Sequence, residues 1–342
     1  MYQIQVNEIN KKLNNNKKAI IAIGCSFVQG QGAVDDELYN TYEWKYDEGE
    51  PLTIQVTPKE RKRLIKRYRG LVGGDTFGGK IDFTMMEYKN SFVNVLCEKY
   101  FAGDYTPINL GIRGCGNRAS IKELYMYPDL DLHKAEEIIV IYCPSGLERF
   151  DFINDQATDH FNWKCMWPAG DRDGMPEGGR KQLWTGYADE LSSPKFEVME
   201  QLAHVQELIT WCKANNAKLI VTPGFDRRYD KDYFTECLSQ NVSRNENGMT
   251  VSKRLGGLIK SKSDKTHLID LFPWDLMFKP EGHTTFIDLV ISKELTLENK
   301  EDHYCQFLGC GSPNGWVTLC SHPSQKAHDL FANQLYTHIT KD

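Results

Sequence analysis

The sequence has no apolar run approaching the roughly 18 residues that cross a bilayer as a helix, so no membrane span is expected. It has no excess of positive charge. Its 41 Lys and Arg against 47 Asp and Glu leave a formal net charge of −6, which gives no ground for expecting nucleic acid as a partner. The one basic stretch, KERKRLIKRYR at 59–69, follows Asp47, Glu48 and Glu50 and reads as a solvated helix face. No Cys-x2-Cys pair occurs, which excludes the familiar zinc fingers and ribbons. There is no internal repeat and no long low-complexity segment. The short apolar run near the N-terminus has no small-residue cleavage site behind it, so a chain made in a reducing cytoplasm without a signal peptide is expected. Several of the ten cysteines, as in VNVLCEKYF and IVIYCPS, sit inside apolar patterns, as reduced buried thiols do.

What the sequence does have is a set of apolar, β-branched runs: 19–24, 106–111, 136–143, 217–224 and the weaker 266–272. They show little polar alternation, the pattern of strands covered on both faces. Between them lie helical patterns at 90–101, 195–216 and 324–339. Strand and helix in alternation predict an α/β fold with a doubly wound, mainly parallel sheet of flavodoxin-like type. At 342 residues the expectation is one enlarged domain over 1–342. Insertions are expected at about 33–87, 150–194, 226–265 and 276–320.

In such sheets ligands bind at the carboxyl ends of the strands. The first strand ends in Gly24-Cys25-Ser26, the second in NLGIRGCGNRAS with Asn109, Gly111 and Gly114, and the third in CPSGLERF with Ser145 and Arg149. His322 stands before Pro323, ahead of the last helix. A hydroxyl, a histidine and a glycine-rich turn are the parts that acyl transfer needs: a nucleophile, its base, and N–H donors for an oxyanion. Asn109 reads as a side chain that holds the glycine loop.

These residues resemble the blocks of the SGNH (GDSL-like) hydrolases. Gly24-Cys25-Ser26 with Gly30 is similar to their Gly-Asp-Ser block. Asn109 and Gly114 match their Asn-x-x-x-x-Gly block, and His322-Pro323 matches the end of their Asp-x-x-His-Pro block. The GCSF version is similar to SGNH-like proteins encoded by tailed bacteriophages. The resemblance implies a serine-dependent carboxylic-ester hydrolase that needs no metal or organic cofactor. Ser26 would be the nucleophile, His322 the base and Gly114 an oxyanion donor, with Gly111 as its fallback. It departs from the family at two places. The third block lacks the family's Asn, leaving Ser145 or Arg149 in its stead, and Leu319 replaces the Asp three residues before His322.

The expected substrate is ester-bearing, with an acetylated polysaccharide as first choice. Trp163, Trp167 and Trp184, in the aromatic-rich segment 150–194, would be the substrate-binding residues beside the cleft. The alternative is a catalytically weak or inactive SGNH-like structural or binding protein of a phage virion, with other virion proteins as partners. A rival use of the C-terminal region is structural zinc on His303, Cys305, Cys310, Cys320 and His322, which would consume the histidine.

Overall fold

The computed structural model describes residues 3–31, 33, 53–55, 80–82, 84–112, 114–153, 163–166, 182, 185–186, 193–239, 266–294 and 322–341. Strands in chain order are β1 (Lys18–Gly24), β2 (Thr53–Gln55), β3 (Lys80–Asp82), β4 (Thr106–Asn109), β5 (Glu137–Cys143), β6 (Phe150–Ile153), β7 (Trp163–Met166) and β8 (Ala217–Val221). Four of them form a parallel sheet in the order β4-β1-β5-β8. The pairs β2-β3 and β6-β7 are separate antiparallel ribbons. This is an α/β fold.

The continuous apolar character of β1 and β5 follows from burial on both faces. Ala19, Ile21 and Ile23 point into one core, where Val6 and Leu13 of the helix Gln3–Asn16 meet Val198, Leu202 and Val205 of the helix Pro194–Ala214. Ile20 and Ala22 point into the other, with Leu289 and Val290 of the helix Phe286–Glu294 and Phe331 and Leu335 of the closing helix Gln325–Ile339. β5 divides in the same way, Val140 and Tyr142 to one side and Ile139 and Ile141 to the other. Strand side chains alternate between faces, so a strand buried on both sides has no polar position to spare.

The expectation of a fifth strand at 266–272 is corrected: Thr266–Leu271 is a 3-10 helix. Ile269 and Phe272, three apart, are buried, while Asp270 and Leu271 face out. That spacing matches three residues per turn, whereas alternation would have exposed one of the pair. Parts of the segments expected as insertions pack into the two cores, among them Tyr229, Phe234 and Leu238 of one and Phe278, Phe286 and Leu289 of another.

The second core holds one polar group of consequence. His328, on the closing helix, is fully buried; its ring stacks on Phe92 and meets Phe286 edge-on. Its Nδ1 accepts the backbone N–H of Phe92 at 3.2 Å, and its Nε2 has no hydrogen-bond partner among the described residues. Burial, and then the nearby His322, pull its pKa down to about 3. The folded state therefore holds this imidazole neutral, while the unfolded chain protonates it near pH 6.5. The stability it contributes is complete above about pH 6.5 and is lost as pH falls toward 3. Urea unfolding measured between pH 3 and 7 should show that slope. His328→Asn, which keeps an acceptor for Phe92, should flatten it by an amount on the order of 4 kcal/mol across the range. An unchanged slope would assign the acid sensitivity elsewhere.

Candidate active site

β1 lies between β4 and β5, where the strand order reverses, so the crevice at its carboxyl end is the natural ligand site of such a sheet. The strand stops there because of Gly24, with φ at +155°. A Cβ on it would lie 2.5 Å from the carbonyl oxygen of Cys143, its neighbour in β5, and 2.5 Å from Val28 Cγ2. The chain then closes one short turn, Ser26–Gln29: the Cys25 carbonyl accepts the N–H groups of Val28 at 3.0 Å and Gln29 at 3.1 Å. Cys25 is fully buried. Ser26 stands first in the turn, and its own N–H has no acceptor among the described residues, as befits the start of a helical turn.

The Oγ of Ser26 lies 2.8 Å from Nε2 of His322, across 296 residues of chain. The imidazole packs on Phe27, the residue after the serine, with ring centroids 5.4 Å apart and planes at 49°. His322 precedes Pro323 and Ser324, both buried, and Ser324 is the N-cap of the closing helix. The helix is anchored in the core through Phe331 and Leu335, and the proline restricts the backbone between it and the histidine.

The glycine loop is tied to the same turn. Leu110 N–H donates to Ala22 O at 2.8 Å and Ile112 N–H to Gly24 O at 2.9 Å, so the loop runs alongside β1 past the end of β4. Asn109 is buried at the base of the loop. Its Nδ2 donates to Val28 O and to Ser91 Oγ, both at 2.9 Å, and its Oδ1 accepts Gly111 N–H at 2.9 Å. The N–H of Gly111 is thus spent within the loop and cannot face an oxyanion. Gly114 is exposed, with φ at +70°, and its N–H has no acceptor among the described residues. An added Cβ would touch nothing there, so backbone handedness, not space, calls for glycine.

The third loop is arranged differently from the other two. Ser145 is fully buried: its N–H donates to Asn117 Oδ1 at 2.7 Å and its carbonyl accepts Tyr229 Oη–H at 3.0 Å. Its hydroxyl has no partner among the described residues and no opening to solvent. Arg149 donates from Nη1 to Cys115 O at 2.9 Å, and its guanidinium lies over Phe225, 5.0 Å from the ring centre. Phe225 in turn lies 5.3 Å from Phe27. Trp163 belongs to β7; Trp167, Trp184, Leu319, His303, Cys305, Cys310 and Cys320 lie outside the described residues.

Two groups near the site were missed in the sequence. Asp151, in β6, accepts Gly116 N–H at 2.6 Å and Ala119 N–H at 2.8 Å. Burial pushes its carboxyl up, and those two N–H bonds oppose the rise. The second is a network around Arg228, which pairs with Asp226 at 2.7 Å, with Glu148, and with Glu197 at 3.8 Å. Asp226 also accepts Leu147 N–H at 2.9 Å, and burial pushes its pKa up to about 6. FDRRYD, just after the last parallel strand, was the available signal, since charged residues at a strand's carboxyl end face the site.

Asn109→Ala should lower stability by about 2–4 kcal/mol in urea unfolding, because it leaves Gly111 N–H and the Val28 carbonyl buried without the partners they have now. A loss within about 0.5 kcal/mol would show that the loop does not depend on it.

No family model matches the chain, and no curated protein does. Among solved structures, the chain is similar to a carbohydrate esterase whose active site is described as displaying divergent catalytic and non-catalytic binding functions. The identity is 14%, the TM-score 0.39, and the match covers 95% of this chain and 69% of that one. No helix among the described residues is long and apolar enough to cross a membrane.

Proposed function

We propose that the protein is a serine-dependent carboxylic-ester hydrolase of SGNH type. The observation that carries the reading is the 2.8 Å approach of Ser26 Oγ to His322 Nε2 at the carboxyl edge of the parallel sheet. A hydroxyl is a weak nucleophile until a base takes its proton, and that distance lets the transfer accompany attack.

In the first step Oγ bonds to the ester carbonyl carbon while its proton passes to Nε2. The carbonyl oxygen takes the negative charge and faces the N–H groups of Ser26 and Gly114, which are turned to no other acceptor among the described residues. The carbon–oxygen bond to the alcohol then breaks, and His322 protonates the departing oxygen. Water attacks the acyl-serine with His322 again as base, releasing the acid and restoring Ser26. Nδ1 must keep its proton toward an acceptor. With Leu319 in the family's Asp position, a backbone carbonyl is proposed for that part, ahead of an Asp or Glu from an insertion. A carbonyl carries no full charge and stabilises the imidazolium less than a carboxylate, so turnover should be slow. Acetyl esters on a polysaccharide are the proposed substrate, supported by the aromatic residues that follow the third loop in the sequence.

A second reading is a virion structural or binding protein with this fold and little catalysis. It is favoured by the third loop, where Ser145 is enclosed and Asn117 is bonded to Ser145 and Tyr229, so neither offers a third oxyanion donor. A fluorophosphonate probe decides between the two. It should label the wild-type chain at Ser26, and Ser26→Ala should abolish labelling and lower p-nitrophenyl acetate turnover by about 10³-fold or more. Cys25→Ser should retain most activity, because that side chain is buried beneath the turn. Equal turnover in wild type and Ser26→Ala would overturn the esterase reading.

A further inference from the structure

We infer that Arg149 and Asp151 are positioning residues that grip the Cys115–Gly116 peptide from both ends and so set the direction of the Gly114 N–H. The inference rests on Gly114 as the proposed oxyanion donor. A peptide unit is planar and moves as one body. The carbonyl of this unit accepts Arg149 Nη1 at 2.9 Å, and its N–H donates to Asp151 Oδ1 at 2.6 Å. Asp151 lies in β6 and Arg149 immediately precedes that strand, so the two side chains reach the peptide from one short stretch of chain. The fit is close: a Cβ on Gly116 would lie 2.7 Å from Asp151 Oδ2 and 3.0 Å from Arg149 O.

Helix capping accounts for only part of this. Gly116 is the N-cap of the helix Asn117–Met126, and Asp151 supplies acceptors to its first turn through Gly116 and Ala119. The Cys115 carbonyl lies upstream of the cap and is not an acceptor within that helix, so the Arg149 bond adds nothing to the helix itself. What it adds is a fixed orientation for the residue after Gly114. Apart from the long Cys115 N–H to Ile112 O bond of 3.4 Å that closes the turn around it, Gly114 has no hydrogen bond of its own among the described residues, and it has the most permissive backbone of any residue. A donor aimed at a developing oxyanion must be held in place before reaction, and a misplacement near 1 Å can cost about 10²-fold in rate. The grip supplies that order from Asp151 in β6 and from Arg149 just before it.

The test uses the full chain and two variants, Arg149→Met and Asp151→Asn, with two readouts. Amide hydrogen exchange over 111–119 should quicken about tenfold or more in both, with the peptides of β1 and β5 unchanged. In p-nitrophenyl acetate hydrolysis kcat should fall about 10–100-fold with KM within about threefold, and Arg149→Lys should recover part of kcat. Unchanged exchange over 111–119 in Arg149→Met overturns the grip. Faster exchange with wild-type kcat overturns the positioning role and leaves the esterase reading standing. Faster exchange in the variants of a chain that shows no Ser26-dependent turnover supports the grip and overturns the esterase reading instead. If either variant fails to fold, Arg149→Lys and Asp151→Glu take the same measurements under the same criteria.

Discussion

Everything at the candidate site depends on β1 being paired on both edges and buried on both faces. Its partners fix its register, with Ala22 opposite Asn109 on one side and Gly24 opposite Cys143 on the other. Three loops therefore leave the sheet at one level: the serine turn, the glycine loop and the third loop. Parallel strands need crossovers to return the chain to the same end, and the helices that supply them cover both faces. Placing Ser26 is thus a consequence of where the central strand can stop.

Around that turn two buried carboxamides hold the loops together. Asn109 uses its carboxamide on the carbonyl of the serine turn, on Ser91 and on the glycine loop, so one buried side chain ties three segments. Asn117 does the same between the third loop and Tyr229. Each is expensive to bury and pays nothing unless fully bonded, which makes both specific to one loop geometry. The N–H groups of Ser26 and Gly114 have no acceptor among the described residues, and free donors are what an oxyanion site requires.

The ionic network around Arg228 follows a different logic. Arg228 gathers Asp226, Glu148 and Glu197, and the acids outnumber the cation. Burying such charge is weak as a source of stability, because desolvation offsets attraction. Its geometric effect is clear: it joins the loop after β5 to the loop after β8 and to the helix Pro194–Ala214, with Asp226 also bonded to Leu147 N–H. Phe225, next to Asp226, carries the contacts from that join to Phe27 and to the Arg149 guanidinium.

The sequence by itself determined the α/β class and the four parallel strands, because burial on both faces forces apolar residues at every position of a strand such as β1. It also marked the ends of those strands, since glycine and short polar residues are what the turns require. The run at 266–272 was misread as a strand because a short apolar segment carries no period long enough to separate 2 from 3. Only the tertiary structure decided which strand-end residues meet. Ser26 and His322 are 296 positions apart, and no local pattern encodes their 2.8 Å approach. Nor could it show that Ser145 turns into the interior, that Gly111 spends its N–H on Asn109, or that Arg149 and Asp151 share one peptide. Those outcomes depend on how loops from different strands pack against each other, and that is a property of distances across the fold rather than of spacing along the chain.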